Sequence, residues 1–122
     1  MKAGAVHVEA RIAARDVCLG KQIVFARTSA ERREGLLGRK SLPPGHGFWL
    51  NPCEAIHTFG MAFPIDVVFL DRTLRIRSLR SALAPKRLAI CLRAESTLEL
   101  PAGLVQELGI RIGDLVEIRR SR

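Results

Sequence analysis

The chain reads as a mainly β domain, a compact β-sandwich or barrel of short strands with two short helices. Three observations lead there. Short apolar runs recur along the whole length, bounded by Gly, Pro, Asp and Asn. Only two segments carry helix start and stop signals, and both are brief. No helix-length segment separates successive strands, as a parallel βαβ sheet would need.

Residues 1–16 show weak alternation at Val6 and Val8 and then turn rich in Ala and Arg, which predicts a mobile arm or a first edge strand. Val17-Cys18-Leu19 and Gln22 to Ala26 read as two strands around a tight Gly20-Lys21 turn. Thr28-Ser29-Ala30-Glu31 fits a capping box, with Thr28 as N-cap and Glu31 reaching back. The helix that follows should run from Ala30 to Leu37 and end at Gly38. Ser41 to Gly47 is loop-like in composition, and Phe48-Trp49-Leu50 is a brief strand.

The stretch from Asn51 to Asp71 is the densest apolar run and carries three of the five phenylalanines. Within it, Ile65 to Leu70 is apolar on both strand faces apart from Asp66, which predicts a strand buried on both sides. Asp71-Arg72-Thr73 reads as a hairpin connection. After it, Leu74, Ile76 and Ser78 alternate with Arg75, Arg77 and Leu79, so one strand face is strongly basic. Ala82 to Arg93, broken by Pro85, reads mostly as loop. Thr97 to Leu100 is a strand, Pro101 to Leu108 a short helix closed by Gly109, and Leu115 to Ile118 a final strand.

The totals narrow the function classes. A chain of 122 residues is one domain by length, here 1–122, and large enough to bury a core without covalent staples. No apolar run approaches the ~18 residues that cross a bilayer. Glu9 and Arg11 interrupt the region where a secretory leader would be apolar, so a cytoplasmic protein without membrane partners is expected. The net charge of +8 favours polyanionic partners, but the basic residues are scattered and six aromatics with no Tyr make a poor base-stacking platform. Cys18, Cys53 and Cys91 are odd in number and widely spaced, without a CxxC pair, which predicts reduced thiols rather than a zinc knuckle.

Several segments together resemble a known family. They are Arg32-Arg33-Glu34-Gly35-Leu36-Leu37, His57 to Asp71, Leu98 to Gly103 and Gly109 to Asp114; the Met61-Ala62-Phe63-Pro64-Ile65-Asp66 segment and the strand after it are the specific part. On these the chain resembles the domain of unknown function 192 family, small bacterial and archaeal proteins, over roughly Ile23 to Ile118. Leu37 stands where that family usually has Met, and Phe59-Gly60 where it usually has Trp or Phe. The resemblance implies a β-rich fold and no established activity. Leu98 to Ile118 is also similar to the AbrB-type swapped-hairpin DNA-binding module, which would imply DNA binding by that segment.

The side chains with chemical potential cluster near the centre. Cys53 and His57 are four apart, a spacing that shares a face on helix or strand, and a thiolate–imidazole pair binds metals or activates a nucleophile. His46 and Asp66 are the nearby residues that would complete a metal site, but no standard ligand spacing is present, so neither metal nor cofactor is expected. The bland alternative makes Cys53 a small buried group and His57 a structural residue. Asp66 sits in apolar surroundings where a carboxylate must be paired or multiply hydrogen-bonded. It either pins the Thr58–Pro64 loop or stands at the mouth of a pocket, orienting His57 or a ligand amine. Met61 and Trp49 belong to the core or to the rim of that pocket. The reading that follows is a binding domain for a small molecule or peptide, with Cys53, His57, Met61 and Asp66 as candidate ligand-binding residues. One alternative is an enzyme built on Cys53, His57 and Asp66, metal-assisted or not. The other is nucleic-acid binding through Arg75, Arg77 and the basic strand face.

Overall fold

A computed structural model describes residues 5–121 of the chain. Its elements in order are β1 (His7–Ile12), a single 3-10 turn (Ala13–Arg15), β2 (Val17–Ala26), α1 (Ser29–Glu34), β3 (His46–Leu50), β4 (Ala55–His57), β5 (Ile65–Leu70), β6 (Ile76–Leu83), β7 (Leu88–Ile90), β8 (Ser96–Pro101), α2 (Leu104–Leu108) and β9 (Val116–Arg120). The fold is mainly β, as the sequence predicts.

Seven strands form one sheet in the order β6-β5-β8-β3-β2-β1-β9. Only the β2–β3 pair among them is parallel. The sheet curls until its two outer strands meet: Arg75 bridges Leu115, the Ile76 N–H donates to Asp114 O at 2.9 Å, and the Val116 N–H donates to Leu74 O at 2.9 Å. The result is a half-barrel sealed at one end. β4 and β7 form a separate two-stranded ribbon.

Two apolar cores follow from the curl. The inner one fills the barrel with Leu19, Ile23, Val68, Leu70, Leu98 and Leu100, among others. The outer one lies on the opposite face of β5 and β3, where Ile65, Val67, Phe69, Phe48 and Leu50 pack beneath Leu36, Ile56 and Ala89. β5 is therefore buried along its entire length on both faces, as its unbroken apolar pattern requires.

Several elements differ from expectation, each for a physical reason. His7–Ile12, expected as an arm or edge strand, runs between β2 and β9, while the first four residues of that segment lie outside the described ones. Gly20-Lys21 is no turn, because β2 continues through it, with a register shift against β1 between Gly20 and Ile23. The glycine serves a close approach instead: a β-carbon there would stand 2.8 Å from Gly45 O. The Thr28–Glu31 capping box is present, yet α1 stops at Gly35 rather than Gly38, since Gly35 adopts φ 36. Ala82 to Arg93 is mostly loop, as expected, but not wholly: β6 extends to Leu83, and Leu88–Ile90 finds its partner in β4. The similarity of Leu98 to Ile118 to a swapped hairpin ends at local shape, because β8 pairs with β3 and β5 while β9 pairs with β1. The Asp71 turn is as expected, with Asp71 Oδ1 accepting from the Thr73 and Arg75 N–H groups.

Candidate functional site

The structure divides the four residues singled out by the sequence. Along β5, Ile65, Val67 and Phe69 join the outer core, whereas Val68 and Leu70 join the inner one. Asp66 alternates with the former set and faces the barrel interior. Its side chain is fully buried and accepts three backbone N–H groups. Oδ1 accepts from Ala82 at 2.7 Å and Gly103 at 3.1 Å, and Oδ2 accepts from Val105 at 2.7 Å. Three such charge-assisted bonds offset the desolvation of the carboxylate. Asp66 thus ties the end of β6, where Ala82 is held at φ 48, to the turn that starts α2.

The loop from Thr58 to Pro64 has a different anchor. Thr58 is fully buried; its hydroxyl donates to Ala84 O at 2.6 Å and accepts from the Arg87 N–H at 2.8 Å. Its own N–H donates to Arg87 O, and its carbonyl accepts from Lys86 and Met61. Thr58, not Asp66, fixes the loop and the adjoining ribbon.

Cys53, His57 and Met61 line a cavity of about 400 Å³ on the outer side of the sheet, and Asp66 does not. The cavity lies between the end of α1, the segment from Leu50 through β4, and Glu99 on β8. Cys53 is stitched to the β8 region by its backbone: its N–H donates to Glu95 O at 2.8 Å, and its carbonyl accepts from Thr97 Oγ1 at 3.0 Å. Its Sγ donates to Ala55 O at 3.2 Å. Burial pushes the thiol above its ordinary range, and the Glu99 carboxylate adds to this against the hydrogen bonds and Arg32. That is the reverse of an activated nucleophile. His57 is exposed on β4, with its ring 5.8 Å from that of Phe59. His46 sits at the opposite end of β3 from Cys53, paired with Gln22. No group of three or more His, Cys, Asp and Glu side chains among the described residues is placed to hold a metal ion.

The cavity also holds a residue that the sequence does not single out. Glu99 lies on β8 opposite Val67 and Phe48, both members of the outer core. It is 5 % exposed, and its Oε1 has no hydrogen-bond partner among the described residues. Burial alone lifts its carboxyl from 4.5 to about 7. Gly35, at the end of α1, lies over it: a β-carbon at Gly35 would meet Glu99 Oε1 at 3.7 Å, ordinary contact distance. In sequence Thr97-Leu98-Glu99-Leu100 looks like an ordinary half-buried strand with its polar side in water. The missing signal is the layer above it, because α1 and the β4–β7 ribbon cover that side only once the chain is folded.

The sequence signature of a known family, domain of unknown function 192 (DUF192, described as Uncharacterized ACR), spans residues 10–118. The chain belongs to the DUF192 family. Two solved structures share the DUF192 fold seen here. A protein of unknown function from Novosphingobium aromaticivorans DSM 12444 is 24% identical, with a TM-score of 0.78, covering 90% of this chain and 82% of its own. A candidate transcription regulator from Sinorhizobium meliloti 1021 is 23% identical, with a TM-score of 0.81, covering 95% of this chain and 97% of its own. At these identities the likeness concerns the fold alone. No curated protein matches the chain. On the basic strand face Arg75 and Arg77 are both exposed, and Arg75 Nη1 donates to Gly113 O at 3.1 Å where the barrel closes. No helix among the described residues is long and apolar enough to cross a membrane.

Proposed function

We propose that this DUF192 domain is a binding domain whose pocket, beside the 51–66 segment, takes a small ligand that hydrogen-bonds to Glu99. One observation carries the reading: a buried carboxyl oxygen without a partner among the described residues belongs to a side chain that lines a cavity. Such a group costs about 1–3 kcal/mol when unsatisfied, and a bound donor recovers that energy. Leu36, Leu50, Ile56 and Met61 supply apolar walls around it. An apolar concavity with one well-placed polar group is the usual form of a small-molecule site. Binding is favoured over catalysis because the Cys53 thiol is held in its protonated form and Asp66 lies on the other side of the sheet from Cys53 and His57.

The experiment is a fragment screen by thermal shift, followed by NMR titration of the hits against the wild type and Glu99→Gln. Hits are expected to perturb the Met61 methyl and His57 ring resonances and to bind Glu99→Gln about tenfold more weakly, the equivalent of one lost hydrogen bond to a charged group. Hits that bind while leaving both resonances unmoved, or a library without a single hit, would overturn the reading.

A further inference from the structure

The chemistry of the cavity narrows its ligand. Resting on the pocket reading above, we propose that the occupant is an amphiphilic ammonium compound, its charged head on Glu99 and its hydrocarbon body against Leu36, Ile56 and Met61. Glu99 has no charged neighbour in register, since the residues paired with it across β5 and β3 are Val67 and Phe48. Its carboxyl ends beneath the Gly35 turn with one oxygen unpartnered among the described residues. A neutral donor would satisfy that oxygen. An ammonium group does more, because it also supplies a countercharge to the buried carboxylate.

The titratable and charged groups facing Glu99 sit on the surrounding elements: Arg32 on α1, and Cys53, Glu54 and His57 on the segment that forms the far wall. None of them offsets the burial that raises the Glu99 carboxyl. Arg32 acts on Cys53, where it lowers the thiol. Glu99 is thus the negative group at the floor of the site, with Arg32 on the α1 side, and the cationic head is the end of the ligand that pairs with the floor.

Occupation is coupled to a proton. An ammonium ion binds only the ionised form of Glu99, so each binding event at slightly acid pH expels one proton to solvent. The apparent dissociation constant then scales inversely with the ionised fraction. With the carboxyl near 7, moving from pH 8 to pH 5.5 weakens binding roughly thirtyfold.

Hexylammonium chloride, hexan-1-ol and sodium hexanoate, three probes of one chain length, test this by isothermal titration calorimetry on the intact protein. Hexylammonium is expected to bind at least tenfold more tightly than hexan-1-ol at pH 8 and to lose roughly thirtyfold by pH 5.5. Repeating the titration at pH 6 in two buffers of different ionisation enthalpy should reveal release of close to one proton. In Glu99→Gln both the preference and most of the pH dependence should vanish; the proton count in the wild type stands as evidence even if that variant folds poorly. Hexan-1-ol or hexanoate binding as well as hexylammonium at pH 8 would refute the ammonium assignment and leave the pocket standing. A pH dependence unchanged in a folded Glu99→Gln variant would refute it too, by assigning the proton to another group such as His57. Failure of all three probes would overturn this inference alone, because the fragment screen decides the pocket itself.

Discussion

Replacing Glu99 by Gln should make the protein more stable at pH 8 and leave it little changed at pH 4.5. The sign follows from the direction in which burial moves the carboxyl. It rises from 4.5 in the unfolded chain to about 7 in the folded one, so between those values the folded protein holds a proton that the unfolded chain has released. The contribution to stability is therefore complete below the unfolded value and is lost as pH rises through the folded one. Each tenfold difference in proton affinity between the two states is worth about 1.4 kcal/mol, so the loss at pH 8 amounts to roughly 3 kcal/mol. For a domain of this size that corresponds to a fall in Tm on the order of 10 °C. The amide of Gln is neutral at every pH and nearly isosteric, so its stability should not carry this component. Urea denaturation of both proteins across pH 4.5–8 checks the claim as a difference curve. The subtraction removes acid effects shared by both, including those of Asp71, whose carboxyl is pushed up by desolvation but held low on balance by hydrogen bonds from Thr73 and Arg75. A difference curve that is flat, or one that rises in favour of the wild type toward pH 8, would show that Glu99 is not the uncompensated buried acid described here.

Two further substitutions probe the frame that positions the cavity. Asp66→Asn leaves one acceptor oxygen where two oxygens serve three N–H groups and turns an amide donor against donors, so a loss of about 3 kcal/mol is expected; hydrogen exchange should accelerate at Val105 and Gly103, and unaltered protection there would refute the anchoring role. Gly47→Ala places a β-carbon 2.6 Å from the backbone oxygen of Glu99, so β3 and β8 must separate, at about 1–3 kcal/mol. An unchanged urea midpoint would mean the two strands have slack to give.

What could be read from the residues themselves was local. The capping box at Thr28 and Glu31, the Asp71 turn and the helix stop at Gly109 all depend on side chains within a few positions of one another. Periodicity made β5 a strand buried on both faces, and the spacing of short apolar runs, with only two brief helix signals, placed the chain among mainly β domains. The Asp66 environment was half legible: apolar neighbours demand satisfied oxygens, but the satisfying groups come from Ala82, Gly103 and Val105, far along the chain. Proximity in sequence misled most at Cys53, His57 and Asp66, because strand alternation and curl send Asp66 to the inner face and the other two to the outer layer. Gly20 misled in the same way, since a glycine made necessary by Gly45 cannot be told from a turn glycine without its neighbour. Only the tertiary structure decided which charges are in water. The residue pattern around Glu99 is that of a solvent-facing strand position, and it becomes a buried acid solely because α1 and the β4–β7 ribbon close over β8. Solvation energy depends on everything within a few ångströms of a charge, and the chain folds those groups together from separate stretches of sequence.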